Sequence, residues 1–242
     1  MSRKQRLDTW LVDHGRVESV AKAQAVIMAG AVQVNGQRAG KPGFPVADDA
    51  TVSVLAKPRY VSRGGIKLEA ALHEFMIPVA GAVCADFGTS TGGFTDCLLQ
   101  AGASRVHAID TGIGQIDWRL RTDSRVVLHE GVNARHLDPQ SIGEKIDFAV
   151  CDVSFISATL ILPAMLAGLR QSGTMVVLVK PQFEVEKGQV GKGGIVYDPA
   201  LQQAACDKVQ TALETLGFET RLIPSPITGS EGNKEFLLYA SR

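Results

Sequence analysis

Asp86-Phe-Gly-Thr-Ser-Thr-Gly-Gly-Phe94 is the stretch of sequence that decides the fold. It joins an apolar run at 82–87, typical of a buried strand, to an amphipathic run at 94–101, typical of a helix. Three glycines stand at the junction, Gly88, Gly92 and Gly93. Because glycine has no side chain, they permit a tight turn and a close approach of the backbone to a ligand. The stretch therefore predicts a strand, a ligand-binding loop and a helix.

The residues of this loop favour a methionine-type cofactor over a dinucleotide. A dinucleotide loop prefers Gly-x-Gly-x-x-Gly, which lets a pyrophosphate rest on the helix N-terminus, but here Ser90 replaces the second glycine and an acid precedes the first. Asp110, at the end of the next predicted strand, can accept hydrogen bonds from a cofactor ribose. Asn133, in the segment Glu130-Gly-Val-Asn-Ala-Arg135 that follows a further strand, is expected near the adenine. We predict S-adenosylmethionine as cofactor, bound by Asp86, Gly88, Ser90, Gly92, Gly93, Phe94, Asp110 and Asn133.

Strand and helix signals alternate from residue 66 onward. A helical face formed by Leu68, Leu72 and Phe75 comes first, and apolar runs typical of buried strands follow at 82–87, 106–109, 148–151, 175–179 and 236–239. Such alternation predicts an α/β fold with a Rossmann-like, doubly wound, mostly parallel sheet. Ligands of these sheets bind at the carboxyl ends of the strands.

The N-terminal part has a different pattern. Helical spacing at 6–14 ends at Gly15, and a second helix, capped by Ser19, ends at Gly30. Alternating apolar residues at 32–34 and 52–54 then predict a small sheet, with Asn35-Gly36 as a hairpin turn. We therefore predict a small α+β domain at 1–58, a linker at 59–65 and the methyltransferase-like sheet domain at 66–242.

Charge is distributed unevenly along the chain. The formal net charge is zero, from 25 basic and 25 acidic residues, yet residues 1–65 carry ten Lys or Arg and five Asp or Glu. The first part is therefore +5 and residues 66–242 are −5. A cationic small domain on an acidic larger one predicts a polyanionic partner that the N-terminal part contacts first.

Other features exclude whole classes of protein. The four cysteines are too widely spaced to suggest a metal site or a disulfide framework, so we expect reduced thiols and no metal. No apolar run approaches the roughly 20 residues that cross a bilayer. The start, Met-Ser-Arg-Lys-Gln-Arg, leads into an amphipathic stretch and not into a signal-peptide core. We predict a cytoplasmic protein.

Four charged residues fall at the edge of the sheet where ligands bind. Lys67 opens the first helix of the second domain, Asp152 and Lys180 each end a strand, and Glu235 enters the last strand. Each has a structural explanation by itself, because an acid can cap a turn and a lysine can mark where a strand reaches the surface. Two lysines and two acids on one rim are better explained by catalysis.

Transfer of a methyl group to an alcohol is the chemistry that requires such residues. The pKa of an alcohol is far above 7, so a general base or a cation that stabilises the alkoxide is needed. We assign Lys180 as the base, because burial beside a second lysine, Lys67, frees part of its amine to accept a proton. Asp152 would orient the site near the cofactor sulfonium, and Glu235 would support Lys180 or the ribose. The reaction needs no metal.

The N-terminal pattern resembles the αL-type RNA-binding domain of a small-subunit ribosomal protein and of many pseudouridine synthases. The resemblance covers about 55 residues, including the Gly-Ala-Val-Gln-Val-Asn-Gly turn that ends at Gly36. One departure is Ser19-Val20, where that family usually has Ser-Arg. The resemblance and the basic linker imply that RNA is bound by Arg3, Lys4, Arg6, Arg16, Lys22, Lys41 and Arg63.

Almost the whole chain resembles the TlyA family of ribosomal RNA 2′-O-methyltransferases, which are often labelled hemolysins and whose catalytic domain is related to the FtsJ heat-shock methyltransferases. The matching segments are Tyr60-Val-Ser-Arg-Gly-Gly-Ile-Lys67-Leu, Asp86-Phe-Gly-Thr-Ser-Thr-Gly-Gly-Phe, Asp152-Val-Ser-Phe-Ile-Ser, Lys180-Pro-Gln-Phe-Glu and Gly232-Asn-Lys-Glu235-Phe.

This second resemblance implies a catalytic tetrad of Lys67, Asp152, Lys180 and Glu235 and a cytidine ribose as the target. Shorter family members act on large-subunit (23S) RNA and longer ones also on small-subunit (16S) RNA. Because the sequence stops directly after its last strand, we expect the shorter form.

Two other functions stay open at the level of sequence. A membrane-active hemolysin would need a long apolar span or a strongly amphipathic basic helix, and neither is visible. A catalytically idle RNA-binding or ribosome-assembly factor would keep the fold without the reaction. Cofactor binding and methyl transfer to ribosomal subunits distinguish this factor from the enzyme.

Overall fold

The computed structural model describes residues 4–55 and 58–242. They fall into two compact units that divide between Arg59 and Tyr60. Most of the segment that we predicted as a linker lies within the second unit, because Tyr60 is buried and the first helix there already begins at Gly64. A Cβ atom on Gly65 would lie 2.2 Å from the Tyr60 side chain, so this glycine lets the segment fold back closely on the helix.

The first unit contains two helices and two small sheets. Its elements are β1 (Lys4–Arg6), α1 (Leu7–Asp13), α2 (Val20–Met28), β2 (Val32–Val34), β3 (Gln37–Arg38), β4 (Pro45–Ala47) and β5 (Val52–Val54). Ser19 caps α2 by accepting a hydrogen bond from the Lys22 amide at 3.2 Å, as the sequence predicts. Gly15 and Gly30 follow the helices with φ values of 63° and 69°, which other residues rarely adopt.

The predicted hairpin is present in the first unit, together with a sheet that we did not predict. Strands β3, β2 and β5 form one antiparallel sheet, with Asn35 and Gly36 in the left-handed turn. Strands β1 and β4 form the other. They are three residues long and lack apolar alternation, so the sequence gives no signal for them. Residues of both helices and of the sheets share one core, which includes Leu7, Leu11, Ile27 and Val46.

The second unit is a seven-stranded sheet with helices on both faces. Its elements are α3 (Gly64–Glu74), β6 (Val83–Phe87), α4 (Gly93–Gln100), β7 (Arg105–Asp110), α5 (Trp118–Arg121), β8 (Val126–Glu130), β9 (Ile146–Cys151), α6 (Leu162–Gly168), β10 (Leu169–Val179), α7 (Pro181–Glu184), α8 (Pro199–Thr215), β11 (Glu219–Pro224) and β12 (Phe236–Ser241). The strand order is β11-β12-β10-β9-β6-β7-β8. One core packs against α6 and α8, and the other against α3 and α4.

The topology confirms the predicted doubly wound, mostly parallel sheet. Strands β10, β9, β6, β7 and β8 are parallel, whereas β12 is antiparallel to both of its neighbours. Residues that follow the parallel strands therefore meet at one edge. Because β12 runs in the opposite direction, its first residues reach the same edge.

Three observations concern disulfides, metal sites and membrane-spanning helices, which the composition disfavours. All four cysteines are buried as free thiols. Within residues 4–55 and 58–242, no group of three or more His, Cys, Asp or Glu side chains could hold a metal ion. In the same part of the chain, every helix is too short or too polar to cross a membrane.

Candidate active site

A cleft of about 460 Å³ lies at the carboxyl ends of β6, β7 and β9. Its volume is within the range of typical small-molecule sites. The residues that line it include four of the predicted cofactor ligands, Gly88, Ser90, Asp110 and Asn133. Asp152 of the predicted tetrad lines it as well. The structure thus joins part of the cofactor loop to one catalytic candidate.

Gly88 is required by the backbone of the loop. Its φ is +88°, and a Cβ atom at this position would lie 2.6 Å from the main-chain oxygen of Asp152. The loop after β6 therefore contacts the loop after β9 directly, and any other side chain would separate them. Gly92 is restricted in the same way, with a φ of +96° and Leu120 in the position of its missing Cβ.

Asp110 is held rigidly at the cleft by two backbone amides. Its Oδ2 accepts a hydrogen bond from the Ser90 amide at 2.7 Å, and its Oδ1 accepts one from the Gly112 amide at 2.7 Å. Each carboxylate oxygen has a second lone pair. The carboxylate can therefore still accept hydrogen bonds from the two hydroxyls of a ribose.

Asp86, Gly92, Gly93 and Phe94 are buried and are not among the residues that line the cleft. We predicted them as cofactor ligands because the glycines permit a close approach of the backbone and Asp86 stands at the strand end. Asp86 points into the protein, where its Oδ2 accepts a hydrogen bond from the Thr95 hydroxyl at 2.7 Å, and Phe94 packs in the core beside α3. Gly93 allows Ser62 to approach, since a Cβ atom there would lie 2.2 Å from its hydroxyl.

The charge around the cleft suits a cationic ligand. Asp110 and Asp152 line it, and Asp86 is fully buried below with one oxygen, Oδ1, that has no hydrogen-bond partner. Burial raises the pKa of Asp86 to about 7. The carboxylates of Asp110 and Asp152 would repel a pyrophosphate but favour a sulfonium or an ammonium. The residues present therefore fit S-adenosylmethionine.

Lys180 borders the cleft through Asp152. Its Nζ lies 2.5 Å from Asp152 Oδ1 and donates a hydrogen bond to the Ser154 hydroxyl at 2.8 Å. The Lys180 side chain is 10% exposed and that of Asp152 is 21% exposed, so the amine is largely shielded while the carboxylate reaches the cleft. This geometry places the Lys180 amine beside a carboxylate that lines the cleft.

Lys67 and Glu235 form a second, more deeply buried pair. The Lys67 ammonium donates to Glu235 Oε2, and the two side chains are 9% and 4% exposed. We predicted Glu235 as a support for Lys180 or the ribose, and the structure shows its carboxylate bound to Lys67. The physical reason is that α3 packs on β12, which brings Lys67 to the carboxylate at the start of that strand.

The loop after β9 contributes functional candidates that we did not predict. Residues 153–156 line the cleft. Phe155 has a left-handed backbone with φ of 67° and is 92% exposed, and its ring centroid lies 5.3 Å from that of Phe183. An apolar residue four positions after a buried strand is normally expected inside, so the sequence offers no sign of this exposed aromatic face.

The predicted RNA-binding residues are mostly exposed. Lys4, Arg16, Lys22 and Lys41 are exposed in the first unit, Arg63 is exposed in the second unit directly before α3, and Arg3 lies outside the described residues. Arg6 has a structural partner, because its guanidinium contacts the buried Asp8 at 2.6 Å and holds the pKa of that carboxyl at about 2. The charge of Arg6 is therefore partly neutralised by Asp8.

Comparisons with known families agree with this division of the chain. The model of FtsJ-like methyltransferases matches residues 60–242, and the model of the S4 domain matches residues 5–52. The 16S/23S rRNA (cytidine-2′-O)-methyltransferase TlyA of Mycobacterium tuberculosis is 44% identical over 242 residues, which are 99% of this chain and 90% of that protein.

Solved structures give the same relationship. A protein from Streptococcus thermophilus, named as a hemolysin, is 41% identical with a TM-score of 0.75, over 100% of this chain and 90% of that one. An O-methyltransferase from Bacillus cereus shares the fold alone, at 16% identity and a TM-score of 0.51, over 77% of this chain and 84% of that one.

Proposed function

Because the chain belongs to the TlyA group of FtsJ-like methyltransferases, we propose that it transfers the methyl group of S-adenosylmethionine to the 2′-hydroxyl of a cytidine in ribosomal RNA. The observation that carries the proposal is the contact of Lys180 with Asp152 at the border of the cleft. We propose large-subunit RNA as the first target and small-subunit RNA as a second. Such an enzyme works where ribosomes are made, in the cytoplasm.

The cofactor would be held by backbone and by carboxylates. Asp110 would accept hydrogen bonds from its ribose, Asn133 would lie near its adenine, and Gly88 would allow its close approach to the loop. Asp152 would face its positive charge. When bound, S-adenosylmethionine supplies a methyl group on a positively charged sulfur.

Lys180 would take the proton of the ribose hydroxyl. Once the Lys180 ammonium has released one proton to solvent, its neutral amine accepts the hydroxyl proton on Nζ, and the ammonium that re-forms is balanced by the Asp152 carboxylate at 2.5 Å. The Ser154 hydroxyl fixes the direction of the amine. Lys67, held by Glu235, supplies a fixed positive charge at the same edge of the sheet.

RNA would be bound by charge and by stacking. The exposed cations of the S4 domain would contact phosphates, which orient the substrate without selecting a base. Phe155 offers an exposed aromatic face beside the cleft, on which a base of the target strand could stack. This division assigns general RNA affinity to the first unit and local placement to the second.

Lys180→Ala tests the proposed function. We expect methyl transfer from labelled cofactor to ribosomal subunits, prepared from cells without this gene, to fall by about 10³-fold or more. Calorimetry should show that cofactor affinity is retained. Lys187→Ala is the matched control, because this lysine is exposed in the segment after α7. Normal transfer by Lys180→Ala would show that the base is assigned wrongly.

The rival functions have distinct outcomes. An idle RNA-binding factor would bind ribosomal subunits without transferring label, whether or not it binds the cofactor. A membrane-active protein, as the hemolysin name of the Streptococcus relative suggests, would release dye from liposomes without RNA. We expect transfer of label and no leakage.

A further inference from the structure

Glu184 is a buried carboxylate that the proposed chemistry does not use. It ends helix α7, four residues after Lys180, and its side chain is 2% exposed. Oε1 accepts a hydrogen bond from the Ala158 amide at 2.6 Å, and Oε2 accepts one from the Ser157 hydroxyl at 2.5 Å. Because burial of a carboxylate is costly unless its oxygens are bonded, these contacts keep the group in one position.

Helix α8 supplies the balancing charge. Lys208 Nζ lies 3.0 Å from Glu184 Oε2 and donates a hydrogen bond to the main-chain oxygen of Glu184 at 2.8 Å. The Lys208 side chain is 45% exposed, so this pair is open to solvent on one side. The main restraint on the carboxylate is therefore its pair of bonds to the loop after β9.

That loop is held at both ends by the segment that follows β10. At its beginning, Asp152 and Ser154 contact the Lys180 amine. At its end, Ser157 and Ala158 bind the Glu184 carboxylate. Lys180 and Glu184 thus connect the segment after β10 to the loop after β9 at two points. The first segment carries Lys180, the proposed proton acceptor, and the loop carries its partner Asp152.

The same two attachments hold Phe155 against Phe183 beside the cleft. Phe155 lies between the two attachment points of the loop, and Phe183 lies between Lys180 and Glu184. Their ring centroids are 5.3 Å apart. Loss of the attachment at Glu184 would free the loop and the left-handed turn at Phe155 together.

We propose that Glu184 is a positioning residue for methyl transfer, whose carboxylate fixes the loop after β9 and thereby sets Asp152 against Lys180. This inference rests on the proposed function, since it presumes that Lys180 accepts the proton. It assigns to Glu184 a contribution to turnover that exceeds its contribution to folding.

Two substitutions separate the bonds of Glu184 from its charge. Glu184→Gln keeps an acceptor for the Ala158 amide, and its amide group can donate to Ser157, whose hydroxyl can turn to Thr159 at 2.8 Å. Glu184→Ala removes every side-chain bond. We expect the alanine variant to lower kcat by about 100-fold, since a shift of about 1 Å in an active site can have this effect. Glutamine should restore most of the loss.

The test includes a control for stability. Leu213→Ala removes a fully buried side chain of α8 that takes no part in these hydrogen bonds, so it should lower Tm with little change in kcat. For Glu184→Ala, cofactor Kd should rise by less than about 10-fold, because the loss concerns the reacting arrangement more than binding.

Three outcomes would overturn the inference: wild-type kcat in Glu184→Ala, a folded Glu184→Gln as slow as the alanine variant, or an equal loss of kcat in Leu213→Ala. A wild-type protein that methylates no ribosomal RNA would instead contradict the proposed function. The wild-type reaction therefore distinguishes the two failures.

Discussion

The two sides of the candidate active site are built in different ways. The donor side, which would hold the methyl donor, is formed by Gly88, Ser90 and Asp110. Backbone amides hold the Asp110 carboxylate there, and both come from residues within 20 positions of Asp110 in the sequence. The acceptor side, which would receive the ribose hydroxyl, is formed by Lys67, Asp152, Lys180 and Glu235. Ion pairs hold these side chains, and one of them joins Lys67 to Glu235, 168 positions apart in the sequence. We infer that donor-side changes alter cofactor affinity, whereas acceptor-side changes alter turnover and stability.

The largest effect is expected where the two sides meet. Asp152 lines the cleft and also contacts Lys180. Asp152→Ala should therefore lower kcat by about 10²- to 10³-fold, because the ammonium formed on Lys180 loses its counter-charge. It should also raise cofactor Kd by about 10-fold, since each 1.4 kcal/mol is a factor of ten. Steady-state kinetics and calorimetry measure both. A change in only one quantity would assign Asp152 to one side alone.

Asp110→Ala should affect the donor side alone. Loss of two hydrogen bonds to a carboxylate, each worth about 1.5 kcal/mol, should raise cofactor Kd by roughly 100-fold. At saturating cofactor, kcat should stay within about threefold of the wild-type value. Asp207→Ala, at an exposed position of α8, provides a carboxylate control. Unchanged affinity in Asp110→Ala would mean that the cleft does not hold a ribose there.

The pair of Lys67 and Glu235 allows stability and turnover to be separated. Removing one partner leaves a buried charge, so Lys67→Met and Glu235→Gln should each lower the free energy of unfolding by about 3 kcal/mol. We expect each to lower kcat about 10-fold, through loss of a fixed charge at the acceptor side. The double variant Lys67→Met/Glu235→Met should regain stability but not kcat. If kcat recovers with stability, the pair has a structural role only.

Asp86→Asn should have the smallest effect on transfer and a clear effect on the pH dependence of stability. Burial raises the pKa of Asp86 from its ordinary value to about 7, so the folded protein holds a proton that the unfolded chain releases from about pH 4 upward. The free energy of unfolding should therefore fall between about pH 4 and 7, by up to about 4 kcal/mol. Asparagine should flatten this fall in urea titrations. An unchanged pH profile would assign the buried proton to another group.

The donor side could be predicted from sequence because its contacts are local. The order of strand, glycines and strand-end acid is sufficient to place Gly88 and Asp110 together. Asp86 and Phe94, which we also predicted at the cofactor, are buried beneath this edge of the sheet, and the order of residues along the chain does not show this.

The acceptor side could be predicted only in part. The strand ends give the positions of Asp152 and Lys180, but the partner of Glu235 depends on how α3 packs against β12. Phe155 could not be predicted, since only its left-handed backbone turns an apolar side chain outward. The short strands β1 and β4 and the edge strand β11 were missed because they lack an apolar signal.

The central claim is that the Lys180 amine, beside the cleft, directs a methyl group to a ribose oxygen. It is tested most directly by incubating deficient ribosomal subunits with cofactor that carries a deuterated methyl group and analysing the nucleosides by mass spectrometry. The account predicts the label in 2′-O-methylcytidine with the wild-type protein and its absence with Lys180→Ala. Label on a base, or label that persists at the ribose in Lys180→Ala, would contradict it.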